Sequence, residues 1–350
     1  MHCNDFTKNP IDAMKYACDF AGLTFTSRMM KWESLTDGSM PHNWIVPENF
    51  YILEKLFKNL QFACHCIDIV NMELKSEKAL LMIWTEARHK STVTLRCLSN
   101  LKNVKAFFEP HFYASFCGNK AHRNHNAYID QGILEEDPNL TFESIKSHIE
   151  KVNETHHVIV KDFASTLGGD YKHIPENARH IILIRHPAAV INSVLKYDVK
   201  DQSAKNVNQY YFEDLLKNDK LCESLLNLYR YLQKSDKCVS ILHCNDFTTY
   251  PIDAVKYACE FAGLPFNPGM LKWESLSDGS MPHNWIVPDN FYILEKLYKS
   301  CQRACLSTTF NNTSDAEEFN ISHFQNVHNL ILRKHLPFYK ELLKNKVYFT

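Results

Sequence analysis

The sequence predicts an α/β fold: a central parallel sheet flanked on both faces by helices, in three layers. Three observations carry that expectation. Short apolar runs alternate with longer stretches at helical period along most of the chain, which implies a sheet covered on both faces. Two of the apolar runs end at basic residues and a helix start, at the strand ends where open α/β sheets put their ligands. The chain has 350 residues, enough for one large or two ordinary domains, and its 45% apolar content is that of a globular protein.

The first strand is predicted over 80–84, Leu80-Leu81-Met82-Ile83-Trp84, where the apolar run stops abruptly. Arg88, Lys90, Ser91 and Thr92 follow after a short loop. Val93, Leu95, Leu98 and Leu101 then return at helical spacing, which predicts a helix over 91–101. A helix N-terminus offers free N–H groups and a partial positive charge, so it is a ready anion site. Arg88 and Lys90 add full charges, and Ser91 and Thr92 add hydroxyl donors. The nucleotide-triphosphatase loop GxxxxGK[ST] is not satisfied, because both glycines are missing.

Further strands are predicted over 104–108, 157–161, 180–185 and 238–242. The strand His180-Ile181-Ile182-Leu183-Ile184 runs into Arg185-His186-Pro187, and Pro187 suits the first turn of a helix over 187–197. Ser193 lies about two turns into that helix. Other helices are predicted over 141–152, 208–234, 250–262, 289–305 and 325–344, with a polar loop over 306–324. Leu215, Leu216, Leu221, Leu225, Leu228 and Leu232 form an apolar stripe on the longest of these, read as core packing.

These segments together resemble the sulfotransferase family that uses 3′-phosphoadenosine 5′-phosphosulfate (PAPS), over residues 78–345. Its phosphosulfate loop is similar to Ala87-Arg88-His89-Lys90-Ser91-Thr92, and its 3′-phosphate motif to Arg185 with Ser193 eight positions later. Phe107-Phe108-Glu109-Pro110 resembles its second strand, Val158-Ile159-Val160-Lys161-Asp162 its third, and Gly263-Leu264-Pro265-Phe266 with Trp273 a later stretch. The family's loop proline is replaced by Ala87 and its first loop serine by His89, whose ring would narrow the loop or supply a donor.

The resemblance implies a three-layer P-loop-type fold and PAPS as co-substrate, with no metal. It puts Arg88 on the 5′-phosphate and leaving oxygen, with His89, Lys90, Ser91 and Thr92 completing the loop. It puts Arg185 and Ser193 on the 3′-phosphate, which separates this donor from ATP. Lys161 falls where the family places a lysine near the sulfuryl group. Phe163 stands where many members carry a catalytic histidine and cannot take a proton. Glu109 is therefore the expected base, as in carbohydrate-type members, and Asp162 the reserve. His111 and His157 are read as structural. Trp273, Trp285, Phe291 and Tyr292 are candidates for an acceptor wall, with core packing preferred. The activity implied is sulfuryl transfer to a hydroxyl or amine of a small-molecule or carbohydrate acceptor. The alternatives are a catalytically inactive nucleotide-binding protein of the same fold and a P-loop kinase.

Lys plus Arg number 39 and Asp plus Glu 40, a formal charge of −1, so no global basic field argues for a nucleic-acid or membrane partner. The twelve cysteines are scattered; Cys64-His65-Cys66 is the nearest thing to a metal cluster and lacks spaced partners. Met1-His2-Cys3 is not a secretory start, and no apolar run approaches the ~18 residues of a membrane span. The expectation is a cytoplasmic protein with free thiols. The oligomeric state is not readable.

Residues 2–64 return at 243–305 without a gap, with roughly three-quarters of positions identical. Two distant copies do not make a solenoid. Neither copy contains an anion motif. The second follows a strand and completes a domain, whereas the first lacks everything that should precede it. A tandem duplication reduced to its tail and a mis-joined gene both account for this. The expected organisation is a partial duplicate over 1–66, a linker over 67–77 and a sulfotransferase-like domain over 78–350.

Overall fold

The structure, a computed structural model, describes residues 78–118, 136–198, 221–276, 280–287, 299–310 and 319–349. The chain divides between Glu77 and Lys78, and every described residue belongs to the second unit. The duplicate over 1–66, the linker over 67–77, the 208–220 part of the long helix, residues 289–298 and residues 311–318 of the polar loop lie outside the described residues.

Six parallel strands form one sheet: β1 Leu80–Thr85, β2 Val104–Phe108, β3 His157–Phe163, β4 Arg179–Ile184, β5 Val239–His243 and β6 Trp285–Ile286. Their order is β5-β4-β1-β3-β2-β6. All six residues of β1 are buried, as a central strand covered on both faces requires. Its alternate side chains feed two cores. Leu81 and Ile83 join Leu95 and Leu98 of α1 (Ser91–Leu98) and Ala254, Val255 and Ala258 of α7 (Pro251–Ala262). Leu80, Met82 and Trp84 face the other way, toward α3 (Phe142–Asn153), α4 (Pro187–Asp198), α5 (Cys222–Lys234) and α9 (Asn326–Leu343). This is the three-layer arrangement.

The five predicted strands are present: β2 spans the predicted residues, and the other four have shifted ends. β3 continues to Phe163 because Trp84 and Thr85 of β1 supply partners for Asp162 and Phe163. β4 stops at Ile184, which leaves Arg185 just beyond the sheet. α1 ends at Leu98 rather than 101, because the Asn284 side chain takes the Ser99 carbonyl at 2.8 Å and Asn103 turns the chain at φ 61°. Helix 250–262 is preceded by a separate turn, α6 Asp246–Thr249, and restarts at Pro251. The described part of the long helix begins at Cys222, and α8 is described over Lys299–Leu306.

Besides α6 and short 3₁₀ turns, one helix and one strand were not expected. α2, Pro110–Cys117, begins with the proline that suits a first turn. Its other start signal is remote: the Asp162 carboxylate accepts from His111 N–H at 2.7 Å and Phe112 N–H at 3.3 Å. β6 is two residues that pair with Ala106 and Phe107, too short to carry a period.

Candidate functional site

The predicted site residues gather at the carboxyl ends of the strands in two sets. The first surrounds the loop after β1. Arg88 and Lys90 adopt left-handed backbone, φ 71° and 58°, a conformation that costs a non-glycine residue roughly 1–2 kcal/mol. The loop thus takes glycine-like turns at two residues that carry side chains. Side chains hold the loop in that shape. Arg185 donates from Nη1 to the Arg88 carbonyl. The Glu86 N–H donates to His89 Nδ1 at 3.2 Å.

Beyond the loop, α1 starts at Ser91 with no side-chain cap on its N-cap residue, Lys90. Its first-turn N–H groups have no partner within the helix and are available to an anion. Ser91 is buried and Thr92 half-buried at this end. Arg185 is buried at the end of β4, next to β1. Arg88 Nε donates to Ser193 Oγ of α4 at 3.1 Å, and its Nη2 to the Ser193 carbonyl at 3.4 Å. The two motifs therefore meet through three hydrogen bonds, in which Arg88 bonds Ser193, 105 residues away, twice and accepts from Arg185 once. Lys90 Nζ donates to Asn245 Oδ1 at 3.0 Å, just past β5.

The second set lies on the other side of β1, at the ends of β3 and β2. Lys161 and Glu109 are both buried and form an ion pair. Lys161 Nζ sits 4.0 Å from the Phe163 ring centroid and 5.1 Å from that of Phe108. Glu109 has φ 53°, and its N–H donates to the Lys161 carbonyl at 2.7 Å. Burial pushes the Glu109 carboxyl above the usual carboxylate range, with Asp162 adding to the shift and Lys161 opposing it.

Other candidates have structural tasks. Asp162 accepts from three backbone N–H groups and lies 2.9 Å from His111 Nδ1, so its oxygens are committed to holding α2. His157 Nδ1 accepts the Ala79 N–H at 3.0 Å. The His89 ring is fully buried and turned into the protein. Burial holds it well below the ordinary histidine range, and both Arg185 and Lys161 reinforce this, so the two sets lie within electrostatic reach of one ring. Trp285 stacks on Phe108 at 5.4 Å and Trp273 is buried in the same core, which is the packing role preferred from sequence. Phe291 and Tyr292 lie outside the described residues.

Sequence reasoning missed Glu86, Ser165, Ser224 and Asn245. Ser165 donates to the Glu86 carboxylate from its N–H at 2.8 Å and its hydroxyl at 2.7 Å, and Ser224 from its hydroxyl at 2.7 Å. Only Glu86 stood near a motif. Asn245 belongs to the repeated His243-Cys244-Asn245-Asp246 stretch, which carries no anion motif.

Fold and site define a three-layer α/β protein with a cationic loop at the head of its sheet. No family model matches the chain. A stretch of 79 residues is 29% identical to an uncharacterized protein of Dictyostelium discoideum; the match spans 23% of this chain and 20% of that one. The chain is similar to the sulfotransferase domain from the curacin biosynthetic pathway, at 13% identity over 73% of this chain and 97% of that one, TM-score 0.41. It is similar to a sulfotransferase from Alicyclobacillus acidocaldarius, at 15% identity over 64% and 92%, TM-score 0.37. It is also similar to a mouse sulfotransferase complexed with PAP, at 12% identity over 78% and 88%, TM-score 0.38. Among the described residues no helix is long and apolar enough to cross a membrane.

Proposed function

We propose that this chain binds PAPS and transfers its sulfuryl group to a hydroxyl or amine of a small-molecule or carbohydrate acceptor. One observation carries the reading: Arg88 bonds Ser193 while Arg185 bonds the Arg88 carbonyl, so the loop and the strand-end motif form one cationic cradle. The donor chemistry fits these residues, since a bisphosphate asks for several fixed cations and N–H groups.

In this reading Arg185 and Ser193 read the 3′-phosphate. Arg88, Lys90, Ser91, Thr92 and the first-turn N–H groups of α1 hold the 5′-phosphate and leaving oxygen. The bound donor supplies a sulfuryl group carried on a phosphate leaving oxygen. Positioning and electrostatics then dominate, as in phosphoryl transfer. Lys161 steadies charge growing at the transferred group, and Glu109 accepts the acceptor's proton. A carboxylate raised by burial suits that task better than an ordinary surface carboxylate. The reading includes a cytoplasmic home, supported by the free thiols among the described residues.

A second reading, a nucleotide-binding protein without turnover, draws on the closed Glu109–Lys161 pair, which leaves the base buried against its neighbour. Calorimetry with 3′-phosphoadenosine 5′-phosphate and with ATP tests the donor site: tight binding of the first and much weaker binding of the second is the expected result. Equal affinities would remove the sulfuryl-transfer reading. Donor binding without transfer to any of a panel of hydroxyl and amine acceptors would favour the second reading.

A further inference from the structure

Glu86 is the one carboxylate in the loop between β1 and α1, in a region otherwise built to attract anions. It is buried, 5% exposed, and its oxygens accept three hydrogen bonds from outside the loop. Two come from Ser165, in the turn Ala164–Leu167 that follows β3, and one from Ser224 in the first turn of α5. Its own N–H donates to His89 Nδ1. Glu86 thus binds the loop to two elements on one side and to its own buried ring on the other.

Phosphate-binding loops ordinarily take their shape from glycines, which reach left-handed backbone without steric cost. This loop reaches it at Arg88 and Lys90, so other contacts must impose the shape. We propose that Glu86 is the positioning residue of the anion site, and that its clamp on Ser165 and Ser224 does for this loop what glycine does elsewhere. The proposal rests on the anion-binding part of the functional reading. Glu86 touches no ligand in it; it acts through the backbone of Arg88 and Lys90. A carboxylate left without its donors would repel the anion it now helps to seat, so the serines matter as much as Glu86.

The test is calorimetric titration of the full chain with 3′-phosphoadenosine 5′-phosphate and, separately, with inorganic pyrophosphate, well below the melting temperature of each variant. The variants are Glu86→Ala, Glu86→Gln, Ser165→Ala/Ser224→Ala, and Glu86→Ala combined with both serine changes. We expect Glu86→Ala and the serine pair each to weaken both anions by on the order of tenfold or more, as misplaced binding groups do. Glu86→Gln, which keeps an acceptor for the serines, should recover part of the loss. The combined variant should lose no more than Glu86→Ala, because the clamp is then already open. A purely structural carboxylate would lower the melting temperature and leave these affinities alone; that result, or additive losses, overturns the proposal. Should Glu86→Ala fail to fold, the serine pair and Glu86→Gln decide it. Wild-type protein that binds pyrophosphate but does not prefer the bisphosphate to ATP would sink the sulfuryl-transfer reading while leaving the clamp under test. Binding of neither anion would remove both.

Discussion

Arg88 joins the two anion motifs, and its neighbours define what its loss would do. Its guanidinium serves Ser193 and its carbonyl serves Arg185. Arg88→Ala and Arg185→Ala should each weaken bisphosphate binding by about 1.5–3 kcal/mol, the range for charged hydrogen bonds. Because the two residues share one network, the double variant should lose less than the sum, which calorimetry on all four proteins measures. In the proposed function Glu109 belongs to the chemistry instead. Glu109→Gln should abolish transfer and leave the bisphosphate bound. In the parent protein the transfer rate should rise with pH as Glu109 loses its proton, with a midpoint above the ~4.3 of a free glutamate. Full transfer by Glu109→Gln would move the base elsewhere. The charged residues of this cradle were legible because they follow apolar runs closely, and Ser193 because it stands eight positions after Arg185. The clamp was not: Ser165 and Ser224 lie 79 and 138 residues from Glu86, and nothing local marks either.

At the scale of elements, β1 and β4 show how a buried polar pair joins neighbouring strands. Trp84 Nε1–H donates to His180 Nδ1 at 3.1 Å across the strand pair. Burial pushes the His180 imidazole down to about 3. The unfolded chain takes up that proton near pH 6.5, while the native one refuses it until about 3. Between those values the unfolded state binds more protons, so stability falls as pH falls, by at most about 1.4 kcal/mol per pH unit from this group. His180→Gln keeps an acceptor for Trp84 but cannot titrate. Its denaturant-unfolding free energy should therefore drop less steeply from pH 6.5 to 4 than the parent's; parallel curves would refute the assignment. The same elements show what a sequence reveals. β1 announces itself by five consecutive apolar residues and β4 by four. α2 does not, because an aspartate 51 residues away caps it, and β6 does not, because two residues carry no period.

For the whole molecule, the described sheet, the cradle and the Glu109–Lys161 pair are all drawn from residues 78 onward. Residues 1–66 repeat a tail that the domain already possesses. We propose that they add no anion site and no base. A chain truncated to begin near Ser76 should fold, stay soluble and bind the bisphosphate as tightly as the full chain. Thermal unfolding and titration of both proteins side by side check this. Loss of folding or binding in the shorter one would make the first copy an integral part of the domain. The repeat was the plainest feature of the sequence. It could not be read as a domain because its packing partners, among them Ser99 and Val104 for Asn284 and Phe108 for Trp285, are supplied by residues outside it.

A binding loop that contains no glycine has little to lose when its ligand arrives. Glycine loops are ordered by the phosphate they hold, and part of the binding energy goes into that ordering. Here the ordering is done at folding, by Glu86, His89 and Arg185. In the proposed reading, recognition is therefore closer to a key entering a fixed lock than to a hand closing, and its selectivity resides in a shape set before any nucleotide is present.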